Sequence, residues 1–217
     1  MIVTICAKEI FPMKKILLLI AVFVISLNGV CSAEFVRLFD GKRNDFVAYY
    51  NQTAIRWHKQ GGMDIRIIEN SFKKDGFISP LTGKHVFHAY TGYIGNDKNR
   101  PTTITIGLDE SGLVEHLKLT GFVSPSRTEI IEPERRWLSA ILLCMISVGM
   151  DSDEATTWMK SGGREKLLNT ADDYKFSIKS GKKYIYVSSV ASWAPPQPPR
   201  FSVEIFATDD GRDPDDF

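Results

Sequence analysis

Thr102-Thr-Ile-Thr-Ile-Gly-Leu108, then Asp109-Glu-Ser-Gly112, then Leu113-Val-Glu-His-Leu-Lys-Leu-Thr-Gly-Phe-Val123 is the stretch on which the fold turns. In the first run threonine alternates with isoleucine. Successive side chains of a strand point to opposite faces, so one face is built for a core and the other for polar surroundings. Asp109 to Gly112 has turn composition, and the third run takes up the same period of two. Upstream, residues 85–93 read the same way, closed off by Gly95-Asn96-Asp97 and Pro101. Three consecutive strands with tight connections predict an antiparallel meander.

On the carboxyl side the period changes. Pro133 suits a first helical turn and Glu134 suits the positive end of the helix dipole. Residues 137–148 are almost wholly apolar and predict a buried central helix. Hemmed by Arg135-Arg136 and by Asp151-Ser-Asp-Glu154, the run is shorter than the roughly 20 residues a membrane span needs. A second helix is expected from Asp151 or Ser152 past Trp158, stopped at Ser161-Gly162-Gly163. Tyr174, Phe176 and Ile178 then alternate, Ser180-Gly181 makes a hairpin turn, and residues 184–190 and 200–207 complete a second set of strands. Ala194-Pro-Pro-Gln-Pro-Pro199 lacks ladder donors and reads as an extended loop.

Towards the amino terminus, Asn44 or Asp45 can cap a helix bearing Phe46, Val47, Tyr50, Ala54 and Trp57, ended by Gly61-Gly62. Ile65, Ile67 and Ile68 suggest a short strand, and Lys74-Asp75-Gly76 a turn. The prediction is therefore an α+β fold: two three-stranded antiparallel meanders, covered on one face by about three helices. The chain divides into residues 1–33, a domain over 34–208, and an acidic tail over 209–217. Halves at 34–130 and 131–208 would make a tandem of helix plus meander, for which there is no residue-level repeat.

The first 33 residues carry an address. Met13-Lys14-Lys15, the apolar run 16–27 and the small-residue sequence ending Cys31-Ser32-Ala33 have the order of a secretory signal peptide. Cleavage after Ala33 is expected, with Met13 as the true start and an extracytoplasmic location, periplasmic or secreted. Lipidation of Cys31 is the rival; Val30 opposes it, because that site wants a small residue before the cysteine. Removing Lys8, Lys14, Lys15 and Glu9 from the 27 basic and 26 acidic residues leaves 24 and 25. A neutral chain has no concentrated basic face for nucleic acid. Only Cys144 remains of the three cysteines, so no intrachain disulfide is available and the core must suffice.

Most catalytic patterns fail on spacing. Three residues apart on a strand, His85 and His88 face opposite ways and do not share a metal. His116 alternates with Val114, Lys118 and Thr120, away from Leu117 and Leu119, and is expected in solvent. His58 sits at a helix end, where a cation is favoured. No G-x-S-x-G elbow occurs, and Ser161-Gly162-Gly163-Arg164 lacks the lysine and hydroxyl of a phosphate loop. The acidic clusters do not have the order of a calcium loop, and the charged residues and Pro214 before Phe217 do not make a barrel strand. No metal, cofactor or catalytic residue is assigned.

Aromatic residues on strands are the remaining signal. In Tyr184-Ile-Tyr-Val187 the tyrosines share one face and the aliphatics the other; Tyr184, Tyr186 and Trp193 are the candidate binding residues. The functional expectation is an exported, non-catalytic module binding a protein or cell-envelope ligand, with no nucleic acid partner and no membrane insertion once the signal is removed. The alternative is an envelope hydrolase in which a histidine among His85, His88 and His116 meets a carboxylate in a pocket.

Overall fold

The computed structural model describes residues 35–78, 85–124, 129–168, 175–180, 183–192 and 200–209. They belong to a compact unit running from Ala33 to Phe217. Residues 1–34, the proline-rich loop with Trp193 and the tail beyond Asp209 lie outside the described residues.

Among the described residues eight strands form one antiparallel sheet: β1 (Phe35–Val36), β2 (Lys73–Ile78), β3 (His85–Ile94), β4 (Thr102–Leu108), β5 (Val114–Phe122), β6 (Lys175–Ser180), β7 (Lys183–Ser192) and β8 (Arg200–Thr208). Their order is β2-β3-β4-β5-β8-β7-β6, with β1 beside β8. The two meanders become one sheet where β5 pairs with β8, Leu117 opposite Ile205 and Leu119 opposite Val203. The class is α+β, as the alternation of residues 102–123 implies.

The first meander has four strands instead of three. Lys74-Asp75-Gly76 is not a turn but part of edge strand β2, whose register with β3 shifts between Asp75 and Phe77. A bulge accommodates a glycine that a regular ladder would not favour. Lys73, Lys74 and Asp75 are exposed, and charge on an edge discourages pairing with a further chain. Of the expected strand at Ile65 to Ile68, only an isolated bridge forms, between Ile67 and Ile94.

The helices are α1 (Arg43–Lys59), α2 (Glu132–Ser147), α3 (Ser152–Trp158) and α4 (Arg164–Leu168). The α1 cap is Lys42, two to three residues earlier than its sequence suggests; Asp45 serves from inside the first turn, its Oδ2 accepting from the Lys42 amide at 3.0 Å. Gly61, at φ +90°, ends α1, with its amide bonded to the His58 carbonyl and that of Gly62 to the Trp57 carbonyl. These two bonds are those of a Schellman stop. Asp151 caps α3, its Oδ1 accepting from Asp153 at 2.9 Å and Glu154 at 3.0 Å. Ser161-Gly162-Gly163 does not stop the chain there. Gly162, at φ +96°, lets it bend through a wide turn, Met159–Gly163, into α4.

One hydrophobic cluster joins the helices to a single face of the sheet. From the strands it takes Ile104, Ile106, Leu117, Leu119, Ile185, Val187, Val203 and Ile205, all fully buried. From the helices it takes Phe46, Tyr50, Trp137, Ile141 and Cys144. Each such side chain stabilises the fold by roughly 1.5–3 kcal/mol relative to exposure. Burial also pushes the Cys144 thiol far up, suppressing the thiolate. Gly121 lets α2 approach β5 closely: a Cβ there would lie 2.4 Å from Cγ of Trp137.

Candidate functional site

Residues 64–71 lead from α1 to β2 and are stitched to the end of β3. The buried Tyr50 hydroxyl donates to the Ile65 carbonyl at 3.0 Å, and burial pushes its phenol well up. One turn-step on, the Asn51 amide clamps Ile67 at both ends, donating to its carbonyl at 3.1 Å and accepting from its amide at 2.7 Å. The Gly95 amide donates to the Arg66 carbonyl at 3.0 Å and the Ile68 amide to the Tyr93 carbonyl at 2.9 Å. Ser71 closes the stitch, its Oγ accepting from the Tyr93 amide at 2.8 Å.

Between this segment and the β3–β4 connection lie two adjoining cavities. One, of about 290 Å³, is lined by Asn51, Asp64, Arg66, Ile67, Ile68, Glu69, Asn70, Gly95 and Asn96. The other, of about 420 Å³, is lined by Ile68, Ser71, Tyr93, Gly95, Asn96, Asp97, Lys98 and Pro101. Ile68, Gly95 and Asn96 line both, so the two adjoin as a groove whose first part is lined mainly by polar side chains and whose second part carries the Tyr93 ring. Tyr93, on the wall of the second cavity, is 43% exposed, so its ring is open to contact. Gly95, at φ +67°, is required here: a Cβ would stand 3.2 Å from Arg136 Cδ and 3.3 Å from the Asp64 carbonyl.

Charge in the groove is largely cancelled from within. Arg66 grips Asp64 with two bonds, Nε to Oδ1 at 2.8 Å and Nη2 to Oδ2 at 2.6 Å. That fork lowers the Asp64 carboxyl and raises the Arg66 guanidinium. Asp97 accepts from the Asn99 and Arg100 amides, each at 3.0 Å, and from Arg136 Nη1 at 2.9 Å. The Arg100 amide and then Arg136 hold its carboxyl below the ordinary range. Arg136, nearly buried, reaches Glu132 at 2.9 Å with its other nitrogen. Exposed Glu69 and Lys98 add one charge of each sign.

A second constellation lies on the sheet face turned away from the helices. Cross-strand register sets Thr91, Thr105, Lys118 and Glu204 in one row across β3, β4, β5 and β8. Thr91 and Thr105 share a hydroxyl bond of 2.8 Å, and Thr120 and Ser202 another of 2.8 Å. Glu204 is 0% exposed; His116 Nε2 stands 3.3 Å from its Oε2 and Lys118 Nζ 3.9 Å from its Oε1. The His116 ring is stacked on Phe206 at a 17° interplanar angle.

His116 is thus not in solvent as its alternation suggests, but 4% exposed. The face was read correctly, opposite Leu117 and Leu119; the error lay in taking that face as bare. Neither His116 nor Glu204 lines the groove. His88 is exposed and His58 sits at the α1 end, its Nδ1 2.9 Å from the Gly62 carbonyl. His85 lies on β3, with its side chain outside the description.

Ile185 and Val187 face the core and Tyr184 is half-buried, opposite Thr208 in register. Tyr186 is opposite Phe206; its side chain is outside the description, and Trp193 lies outside the described residues. The groove was missed because its walls come from two irregular segments separated by more than twenty residues. Tyr93 was visible as an aromatic on a strand, which was its only signal. Among the described residues no three His, Cys, Asp or Glu side chains converge as a metal site, and no helix is long and apolar enough to cross a membrane.

No family model matches this chain, and no curated protein or solved structure is significantly similar to it.

Proposed function

We propose that the chain is an exported binding module whose ligand lies in the groove between residues 64–71 and the β3–β4 connection. The observation that carries this is the groove itself: about 290 and 420 Å³ of adjoining space, the first part lined mainly by polar side chains and the second carrying an exposed tyrosine. Ligand sites commonly occupy roughly 300–1,000 Å³ and combine apolar surface with a few placed polar groups. Rigid support is also present, since Asn51, Tyr50 and Ser71 fix the walls through side-chain bonds. Export is supported by the order of residues 13–33, a basic pair, an apolar run and small residues, which is that of a secretory signal peptide. Tyr184 and Tyr186 remain a secondary contact surface in this proposal, with the groove as the primary one.

The His116–Glu204 pair favours the second reading, a hydrolase with a histidine and a carboxylate. Its 3.3 Å separation suits a base and its orienting partner. A fully buried carboxylate that lines neither cavity suits a structural pair better.

Two measurements test the proposal. Edman sequencing of the protein recovered from extracytoplasmic fractions should begin at Glu34; a start at Met1 or Met13 in cytosolic material contradicts export. Amide spectra of the same protein, titrated with envelope extract, should move at Tyr93 and Asn96; shifts confined elsewhere contradict the groove.

A further inference from the structure

The groove's chemistry narrows its ligand. We propose that it takes a neutral saccharide, one ring face lying on Tyr93 and the hydroxyls meeting the Asn70 and Asn96 amides. The inference rests on the proposed binding role of the groove and adds the ligand class.

Three observations lead there. Charge does not select the ligand: Asp64 is bonded to Arg66, Asp97 to the Arg136 that also holds Glu132, and exposed Glu69 and Lys98 carry opposite signs. An ionic ligand would face one charge of each sign and gain little net attraction. Backbone does not select it either. Residues 66–68 are tied to the end of β3 by the Ile67–Ile94 bridge, flanked by Ile68 amide to Tyr93 carbonyl and Gly95 amide to Arg66 carbonyl bonds. Those groups are already paired, so a peptide cannot bind along them as an added strand. What remains free is side-chain chemistry: an exposed ring, and the exposed amides of Asn70 and Asn96, whose side chains bond to none of the described residues.

A saccharide matches that remainder. Its axial C–H groups form an apolar face suited to an aromatic ring, and its hydroxyls both donate and accept, as a carboxamide does. The two cavities, meeting at Ile68, Gly95 and Asn96, provide consecutive subsites, so a disaccharide should bind more tightly than either monosaccharide alone.

The test uses the full chain as recovered from cells. Its probes are cellobiose, maltose and N,N′-diacetylchitobiose, with a neutral Gly-Ala-Gly-Ala peptide as the competing class. Saturation-transfer and amide titrations should detect at least one disaccharide through its ring protons, with affinity unchanged between about 50 and 500 mM salt, where ion pairs would be screened. Tyr93→Ala should weaken binding about tenfold, equivalent to about 1.4 kcal/mol, and Asn96→Ala should weaken it as well. Glu110→Ala, an exposed change in the β4–β5 turn that lines neither cavity, should leave it unchanged. Unaltered amide spectra outside the groove show that the variants are folded. Disaccharide binding untouched by Tyr93→Ala overturns the proposal. Binding of the peptide alone, lost in Tyr93→Ala, overturns the saccharide and leaves the groove standing as a site; binding of neither probe class at millimolar concentration counts against both.

Discussion

Replacing Gly121 by alanine should destabilise the protein more than any other single methyl addition to the sheet. The added Cβ would lie 2.4 Å from Cγ, 2.5 Å from Cδ1 and 2.6 Å from Cβ of Trp137. Carbon atoms rest about 3.5–4.0 Å apart, so strand and helix must separate by about 1 Å. The ring cannot swing aside: Trp137 is 0% exposed, its Nε1 donates to the Leu119 carbonyl at 3.3 Å, and Phe201 lies 6.4 Å away centroid to centroid. Because one clashing atom is the Cβ of Trp137, α2 itself has to move. Overpacking of this kind costs about 1–3 kcal/mol, and the backbone displacement argues for the upper end. For a domain of this size about 3 kcal/mol lowers Tm by about 6–12 °C. Thermal unfolding followed by tryptophan fluorescence measures it directly. Gly121→Ala combined with Trp137→Leu should be less destabilised than the two single changes added together. A Tm within about 2 °C of the parent would refute the close approach of β5 and α2.

Glu134 is fully buried, accepts from Arg164 Nε at 2.6 Å and takes the Ser124 amide at 2.9 Å on its other oxygen; Glu134→Ala should cost about 3–5 kcal/mol, read from urea midpoints, whereas the Glu134→Leu, Arg164→Met pair should recover most of it. If the His116–Glu204 pair is structural, Glu204→Ala should destabilise the fold by a similar 3–5 kcal/mol while leaving ligand affinity at the groove intact; loss of affinity without loss of stability would instead favour the hydrolase reading. Asp97 has a folded pKa below its unfolded value of about 3.9, so its contribution is present above that value and disappears as pH falls through the folded one. Asp97→Asn should therefore be less stable than the parent at pH 7 and converge with it in acid, and parallel stability curves would contradict this. Cys144, buried with its thiol pushed up, should not react with a disulfide reagent at pH 8 until the chain is denatured; denatured protein should then titrate one thiol if the first 33 residues are gone, two if the chain starts at Met13 and three if it starts at Met1.

Regular elements were legible because their period is enforced by burial on one side. Residues 102–108 appear as the same seven residues in the fold, Ile104 and Ile106 inward. The α2 helix and the Gly61 stop were readable for the same reason, an apolar face followed by a residue able to take positive φ. Strand β2 was hidden because an edge strand tolerates charge, and a bulge at Gly76 resembles a turn in composition. The bend at Gly162 was mistaken for a stop because a glycine at positive φ serves either purpose; what decides is Trp158 and Leu167, both buried on either side. Glu204 carried a signal of its own, an acid in the otherwise apolar 203–207 run, but its meeting with His116 depends on pairing between strands more than eighty residues apart. Recognition of the groove needed the same long-range information, since its polar side chains lie on segments without periodicity.

The claim on which the functional account rests is that ligand occupies the groove rather than the tyrosine face of β7. A backbone-assigned amide spectrum of the recovered protein, titrated with the disaccharides above, addresses it most directly. Shifts clustered at Asn70, Tyr93 and Asn96, and abolished by Tyr93→Ala, are the expected result. Shifts centred on Tyr184 and Tyr186, with the groove silent, would contradict it.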